Sequence, residues 1–371
     1  MYKKGLILCL VVFLLVITSA FSPSQGKGGG SQSKNIDHEI WVADQKNNEI
    51  YIINGRNLHI EQTLTTKDGV GKKPHMLVFD NNGDYAYVAN MESGDVSVIR
   101  AKDRKIVDTI PTAPGAHAAV PTNKRDKVIV ANTPSQSLSV ITTDVANEHF
   151  SLERTVSLHD YQELSNREEF PNLNPICLYF TADDSSFYVT IGGGGLVVFN
   201  TETLEIEKAY TKNEVIANGC GLILAPDQQH MYANAGNVTK GEYYLFDTNT
   251  HQLIETKDSQ GYDAHGVDIT PDGKYLWVVN RHSNDASIVD ISTNEVVSKV
   301  EYVGDSPDLI RFSPNGQWAY ITTRGPEPAT GTHDLSGQRP GVSIINTKSL
   351  KKVKQISFPG ADMHAIDVRG R

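Results

Sequence analysis

Short runs of alternating apolar and polar residues recur along the chain, and turn-forming residues separate them. Seven segments share one pattern, in which an aromatic or aliphatic residue opens a run of mostly small or apolar residues that ends in a polar residue in five copies; they lie at 41–44, 87–90, 129–132, 188–191, 232–235, 277–280 and 320–323. Turns such as Asn82-Gly83 and Asp272-Gly273 precede most of them, and a further alternating run, such as EIYIIN at 49–54 or DVSVIR at 95–100, follows each. Alternation with period two between Asn, Asp, Gly and Pro turns predicts β-strands.

Each repeat holds four predicted strands within a little more than forty residues, because runs such as KIVDTI at 105–110 and EVVSKV at 295–300 lead out of it. Four-stranded units at this spacing predict the blades of an all-β, seven-bladed β-propeller. The first copy lacks an inner strand, and residues 362–368 match residues 263–269. We therefore expect the C-terminal segment to supply the inner strand of blade 1, so that no sheet edge is left free between the last and first blades.

The beginning of the chain predicts export. Lys3 and Lys4 precede an apolar run from Leu6 to Ile17, and small residues follow at 18–20. This order is typical of a signal peptide, here residues 1–22, and an uncleaved N-terminal anchor is the alternative. A flexible Gly/Ser-rich linker at 23–35 and the propeller at 36–371 follow. We expect a secreted, cell-surface or periplasmic monomer without a membrane span after cleavage.

Composition narrows the choice of partners. The net charge is −10, and it becomes −12 once the two lysines of the signal are removed. Because no run of Lys or Arg interrupts this acidity, nucleic acid is not an expected partner. Only Cys177 and Cys220 remain after processing. Two cysteines do not make a disulfide framework, and the sequence leaves their pairing open.

The motif after each turn, such as Tyr87-Val88-Ala89-Asn90 after Asn82-Gly83 and Trp277-Val278-Val279-Asn280 after Asp272-Gly273, resembles that of the YVTN-repeat propellers. These are secreted or surface proteins of bacteria and archaea, and the resemblance covers nearly all of residues 36–371. It implies the fold and no particular activity, because propellers carry many functions.

One repeated position carries candidate chemistry. The position lies at the start of each inner strand, twelve residues before the residue that opens the pattern. In blades 2 to 7 it holds His75, His117, Ile176, Cys220, His265 and Asp308, and the matching C-terminal segment supplies His364 for blade 1. Inner strands line the central channel, so we expect these residues to form a ring around one mouth. Imidazole, thiolate and carboxylate groups bind zinc, copper or iron, which makes His75, His117, His265, His364, Asp308 and Cys220 candidate metal ligands. The alternative is that the histidine belongs to the duplicated repeat and only bonds to neighbouring loops.

The second strand of each blade returns to the same face, so the residues at its end are candidate ligand-binding residues. They are Asp44, Asn90, Asn132, Asn280, Arg281, His282 and Arg324. The two arginines could hold an anionic ligand, or they could pair with neighbouring acids. The asparagines could instead satisfy loop backbone groups.

Two polar insertions, 147–174 and 324–341, are expected to cover this mouth. The sequence contains no recognisable nucleophile–base pair and leaves open whether the protein is an enzyme. It favours a module that binds a protein, a glycan, a cell-wall ligand or a small molecule in the channel. The alternatives are a metal-dependent oxidoreductase, hydrolase or lyase that uses the ring, and a lactonase-like hydrolase.

Overall fold

The computed structural model describes residues 37–217, 219–330 and 336–370. The predicted signal peptide and linker lie outside the described residues. Within these three ranges, no helix combines the length and the apolar character that a bilayer crossing requires.

The described chain forms seven four-stranded antiparallel sheets, and its helical residues are three short 3-10 segments, Thr66–Asp68, Leu158–Asp160 and Gln162–Leu164. The strands of blades 1 to 3 are β1 (His38–Asp44), β2 (Glu49–Asn54), β3 (Ile60–Leu64), β4 (Pro74–Phe79), β5 (Tyr85–Asn90), β6 (Asp95–Arg100), β7 (Lys105–Pro111), β8 (Ala116–Pro121), β9 (Lys127–Asn132), β10 (Ser137–Asp144) and β11 (His149–Ser157). The strands of blades 4 and 5 are β12 (Pro175–Phe180), β13 (Ser186–Ile191), β14 (Leu196–Asn200), β15 (Ile206–Tyr210), β16 (Leu222–Leu224), β17 (His230–Asn237), β18 (Lys240–Asp247) and β19 (Leu253–Asp258). The strands of blades 6 and 7 are β20 (Ala264–Ile269), β21 (Tyr275–Asn280), β22 (Asp285–Asp290), β23 (Glu295–Val300), β24 (Pro307–Phe312), β25 (Trp318–Thr323), β26 (Gly341–Asn346) and β27 (Lys351–Ser357), and β28 (Met363–Gly370) returns to blade 1. The predicted seven-bladed propeller is confirmed.

Closure of the ring also follows the prediction. β28 pairs antiparallel with β1, with Ile40 opposite Val368 and Trp41 opposite Asp367. The strand order in this sheet is β28-β1-β2-β3, so β28 takes the innermost place that the first repeat lacks. This pairing covers the inner edge of β1 and joins the two ends of the propeller.

The core lies between neighbouring blades. Each sheet is covered on both faces, which explains why strands such as β5 are buried at every residue. Trp41 packs edge-to-face against Phe79 of the next blade at 5.1 Å, and Trp277 packs in the same way against Phe312 at 5.3 Å. Such aromatic pairs contribute about 0.5–1.5 kcal/mol beyond their buried area.

A bulge at the start of the inner strands sets the direction of the ring residues. The pairing register shifts between Pro74 and Met76, between Ala116 and Ala118, and between Ala264 and Val267, and β12, β24 and β28 shift at the matching place. A bulge bends a strand and re-aims the side chain at the extra residue. The ring position coincides with this irregularity in six blades.

The first insertion is shorter than expected. Residues 149–157 form β11, the outer strand of blade 3, so the prediction that the loop starts near residue 147 is wrong and the insertion spans 158–174. The polar faces of β11 concealed its alternation. Leu158, Leu164 and Phe170 are buried, and they fix the insertion against blades 3 and 4. The second insertion lies between β25 and β26, as expected.

Candidate metal centre

The structure brings five of the predicted ring residues together at one channel mouth. His75, His117, His265, His364 and Asp308 are all buried. The four imidazoles line one cavity of about 290 Å³, together with Ile176 and Cys220 from blades 4 and 5. Asn172 and Asn174 of the first insertion and Thr330 of the second line the same cavity. Both insertions therefore reach the mouth.

Asp308 is the centre of the tightest cluster. Its Oδ1 lies 2.9 Å from His265 Nδ1, and its Oδ2 lies 3.5 Å from His364 Nε2. One donor atom from each of these three residues falls within 4.8 Å of the others. Two imidazoles and a carboxylate at this separation form a ligand set that divalent transition metals use.

The hydrogen-bond partners of His364 determine its tautomer. Its Nδ1 lies 2.9 Å from the carbonyl oxygen of His75, and a carbonyl only accepts, so Nδ1 carries the hydrogen. The Nε2 atom of neutral His364 therefore carries no hydrogen, and its lone pair faces the Asp308 carboxylate. Two acceptors 3.5 Å apart repel each other unless a cation or a proton lies between them.

His75 is oriented in the same way by an amide. Gln45 Nε2 donates to Asp362 Oδ2 at 3.0 Å, which fixes the direction of the amide, and Gln45 Oε1 lies 2.9 Å from His75 Nδ1. His75 Nδ1 therefore donates, and Nε2 presents its lone pair. Donation of the second ring nitrogen to a fixed acceptor is typical of histidines that bind metals.

His75 and His117 form a close nitrogen pair. Their Nε2 atoms are 2.9 Å apart, so His117 Nε2–H donates to the bare Nε2 of His75. Two imidazole nitrogens on one tetrahedral ion lie about 3.3 Å apart, given metal–nitrogen bonds near 2.0 Å. An ion between them would replace the shared hydrogen with a small movement of the rings.

Burial keeps the histidines neutral and the carboxylate charged. Burial lowers the pKa of His117 to about 3, and burial followed by the neighbouring charges also lowers the pKa of His75, His265 and His364. Burial alone would raise the pKa of Asp308, but the imidazoles of His364 and His265 and the Arg324 guanidinium hold it well below its usual range. These protonation states are the ones that metal ligands require.

Arg281 and Arg324 are buried and donate hydrogen bonds to the carboxylates of the cluster. Arg324 donates to both oxygens of Asp362 at 2.7 and 2.8 Å and to Asp308 Oδ2 at 3.0 Å. Arg281 donates to both oxygens of Asp263 at 2.8 and 3.1 Å, and it also lies 3.6 Å from Asp308. The acids two residues before His265 and His364 therefore hold guanidinium groups.

The predicted ligand-binding asparagines tie each blade to itself. The side-chain amides of Asn90, Asn132 and Asn280 are buried, and each donates to a serine on the adjacent third strand, Ser97, Ser139 and Ser287 respectively. These distances, 2.9–3.0 Å, place the amides between the strands. The amides therefore bond to side chains of their own blade, whereas the alternative drawn from the sequence was that they satisfy loop backbone groups.

Asp44 and His282 also stand apart from the cavity. Asp44 accepts from the backbone N–H groups of Lys46 and Asp362 at 3.0 Å, so it fixes the turn after β1 against the segment before β28. His282 is exposed, and it does not line the cavity. The two sets of candidate residues therefore differ. Most of the inner-strand ring residues converge on the cavity, and most of the residues at the ends of the second strands do not.

Cys220 is joined to Cys177 by a disulfide between blades 4 and 5. In this state Cys220 offers no thiolate, and it leaves the candidate ligand set. The bond lies beside Ile176 and gives this side of the mouth an apolar wall.

A second ring lies three residues further along the inner strands, towards the opposite mouth. It consists of Asp367, Val78, Val120, Tyr179, Ile223, Asp268 and Arg311. Arg311 donates to Asp367 at 3.1 Å, and the remaining oxygens of Asp367 and Asp268 accept backbone N–H groups of Phe79 and Phe312 at 3.0 Å. The passage beside this lower ring encloses only about 60 Å³.

Sequence reasoning missed Gln45 and the role of Asp362. Gln45 follows the first copy of the repeat motif, at the place that Arg281 and Arg324 occupy in blades 6 and 7. Extending the alignment by one residue would have found it. Nothing in the repeat predicted that Asp362 would join Gln45, Arg324 and the backbone of Ala329.

Comparisons with known proteins support the fold. No family model matches the chain. Antigen Lp49 of Leptospira interrogans serogroup Icterohaemorrhagiae serovar copenhageni (strain Fiocruz L1-130) is 24% identical over 162 residues, which are 42% of this chain and 35% of that protein. The match thus spans about a third of that relative. A structure of Kuenenia stuttgartiensis hydrazine synthase has a TM-score of 0.64 at 14% identity, over 88% of this chain and 99% of that one. At this identity the likeness shows the propeller fold alone.

Proposed function

We propose that the channel mouth binds one divalent first-row transition metal ion and that this metal site is the functional centre of the protein. The observation that carries the proposal is the convergence of Asp308, His364 Nε2 and His265 within 4.8 Å, with the His364 lone pair facing a carboxylate. His265, His364 and Asp308 would hold the ion, and His75 and His117 lie beside them.

The charge of the cluster supports a cation. Three buried carboxylates, Asp263, Asp308 and Asp362, lie against two buried guanidinium groups, Arg281 and Arg324. Since the four imidazoles are neutral, this cluster carries an excess of negative charge. A buried excess of this kind is costly unless a cation compensates it.

The open cavity beside the cluster favours a reactive or ligand-binding metal over a closed structural one. A bound ion there would act as a Lewis acid or activate a water molecule. We place this reading ahead of the binding module that the sequence favoured. Recognition of a protein, a glycan or a cell-wall ligand stays a prediction, and lactonase activity has only fold analogy behind it.

We further propose that the chain is an exported propeller of the YVTN-repeat type. The apolar segment at 6–17 and the repeat motif support this assignment. The Cys177–Cys220 disulfide fits an oxidising compartment outside the cytoplasm.

The test is a metal titration of the mature chain, purified without a polyhistidine tag and stripped by a chelator. We expect zinc or cobalt(II) to bind at one ion per chain in calorimetry, and His364→Ala to weaken that binding at least about 100-fold. His59→Ala, at an exposed histidine, is the matched control. If the double variant His265→Ala/His364→Ala is folded by circular dichroism and still binds one ion with the original affinity, the proposal is wrong.

A further inference from the structure

The cavity has two chemically different sides. We call the ring of inner-strand residues at this mouth, which holds the four histidines and Asp308, the upper ring. Blades 6, 7, 1, 2 and 3 contribute its imidazoles and Asp308, whereas blades 4 and 5 contribute Ile176 and the Cys177–Cys220 disulfide. The residues that follow the seven repeat segments show the same division; in blade order they are Gln45, Met91, Thr133, Gly192, Gly236, Arg281 and Arg324. Blades 6, 7 and 1 carry charged or amide groups there, and blades 4 and 5 carry glycine.

Space on the apolar side depends on the absence of a side chain. A Cβ on Gly192 would lie 3.0 Å from Ile176 Cδ1 and 3.4 Å from the Asn174 Cβ. Glycine at this position therefore keeps the volume in front of Ile176 open. The open volume and the apolar surface lie on the same side of the cavity, across from the Asp308 cluster.

The size of the cavity limits the ligand. A volume of about 290 Å³ equals that of roughly ten water molecules in the liquid. It lies at the small end of ligand sites in proteins, near 300 Å³. The cavity therefore suits a molecule of about ten non-hydrogen atoms and excludes a polymer segment.

We propose that the site takes a small amphiphilic ligand, with an oxygen-donor head such as a carboxylate on the metal beside Asp308 and His364, and a short apolar group against Ile176 and the disulfide. The proposal rests on the metal site proposed above. A divalent ion would more than offset the excess negative charge of the cluster, so an anionic oxygen would no longer be repelled.

The experiment titrates straight-chain carboxylates, from acetate to hexanoate, into the cobalt(II)-loaded mature protein. Calorimetry measures affinity, and the visible absorption of cobalt reports whether the carboxylate reaches the metal. We expect each added methylene to strengthen binding by up to about fourfold, the factor for one fully buried methylene, until the apolar side is filled. Ile176→Thr should remove most of this gain.

Ile60→Thr, at an exposed isoleucine on an outer strand, is the matched control and should keep the full chain-length dependence. Equal affinity for acetate and hexanoate, or an unchanged gain in Ile176→Thr, would overturn the proposal while the metal site stands. Cobalt binding without any spectral response to acetate would overturn the head-group assignment. Failure of cobalt to bind at all would overturn the metal site and this inference with it.

Discussion

The upper and lower rings of the channel each place a charged residue of blade 7 between side chains of blades 6 and 1, but the charge of that residue is opposite in the two rings. In the upper ring, the anion Asp308 of blade 7 lies between imidazoles of blades 6 and 1, His265 and His364. In the lower ring, the cation Arg311 of the same blade is flanked by carboxylates of the same neighbours, Asp268 and Asp367. The two rings are only three residues apart along each strand.

The difference lies in what remains unsatisfied. The carboxylates of the lower ring also accept backbone N–H groups, so this ring closes the channel with internal bonds. The upper ring turns the Nδ1–H groups of His75 and His364 towards fixed acceptors and leaves the Nε2 lone pair of His364 facing another acceptor, the Asp308 carboxylate. A buried charged group does not by itself identify a site; the direction of its remaining lone pairs does.

The largest expected effect is on the free energy of unfolding, and its response to zinc distinguishes Arg324, beside the upper ring, from Arg311 in the lower ring. Arg324→Met and Arg311→Met should each lower the free energy of unfolding by about 3–5 kcal/mol, because each leaves buried carboxylates without their partner. Added zinc should recover part of the loss in Arg324→Met and none in Arg311→Met. Urea unfolding with and without zinc measures both, with Arg56→Met at an exposed position as control. Equal rescue of both variants would contradict the comparison.

The next largest effect is the pH dependence of the free energy of unfolding that Asp268 of the lower ring causes. Burial raises the pKa of Asp268 to about 6 from 3.8, so folding favours its protonated form. Its contribution to stability is complete below about pH 4 and is lost as the pH rises through 6, which amounts to up to about 3 kcal/mol. Asp268→Asn should remove this decline, whereas Asp160→Asn, an exposed control, should keep it. Parallel stability profiles of wild type and Asp268→Asn between pH 4 and 7 would refute it.

Gln45 should act as a positioning residue of the upper ring. Gln45→Leu removes the acceptor for His75 Nδ1–H, and we expect metal affinity to fall about 10–100-fold. Gln45→Glu keeps an acceptor there and should retain most of the affinity. Tyr179→Phe in the lower ring should leave metal binding unchanged. A loss of unfolding free energy in Gln45→Leu without any change in metal affinity would show a purely structural role.

The smallest expected effect concerns acid sensitivity of the metal-free protein. Because burial lowers the pKa of His117 to about 3, folding favours its neutral form. The stability from this group is complete above about pH 6.5 and declines as the pH falls, by about 1 kcal/mol between pH 6.5 and 5.5. His117→Asn should make the urea midpoint less dependent on pH in this range, and His59→Asn should not. An identical pH dependence in all three proteins would argue against a neutral, buried His117.

The fold was predictable because alternation and turn residues repeat seven times, so the repeats corroborate one another. The upper ring followed from the same alignment, and β11 was missed because most of its residues are polar or half-buried. Pairings such as Asp362 with Gln45 were not predictable, since they join residues more than 300 positions apart and depend on side-chain rotamers. The role of the asparagines was not predictable, because a repeated amide at a strand end can serve equally well as a ligand or as a tie between strands.

Closure by β28 has a kinetic consequence. This one strand carries His364 into the upper ring and Asp367 into the lower, and it pairs with β1 across more than 300 residues. Joining such distant segments carries a loop-closure entropy, and contacts of long sequence separation slow folding. A growing chain can form blades 2 to 7 from local hairpins, but both rings stay incomplete until this strand docks. Acquisition of metal would therefore report the last step of folding, and a chain arrested before that step would have six intact blades and no centre.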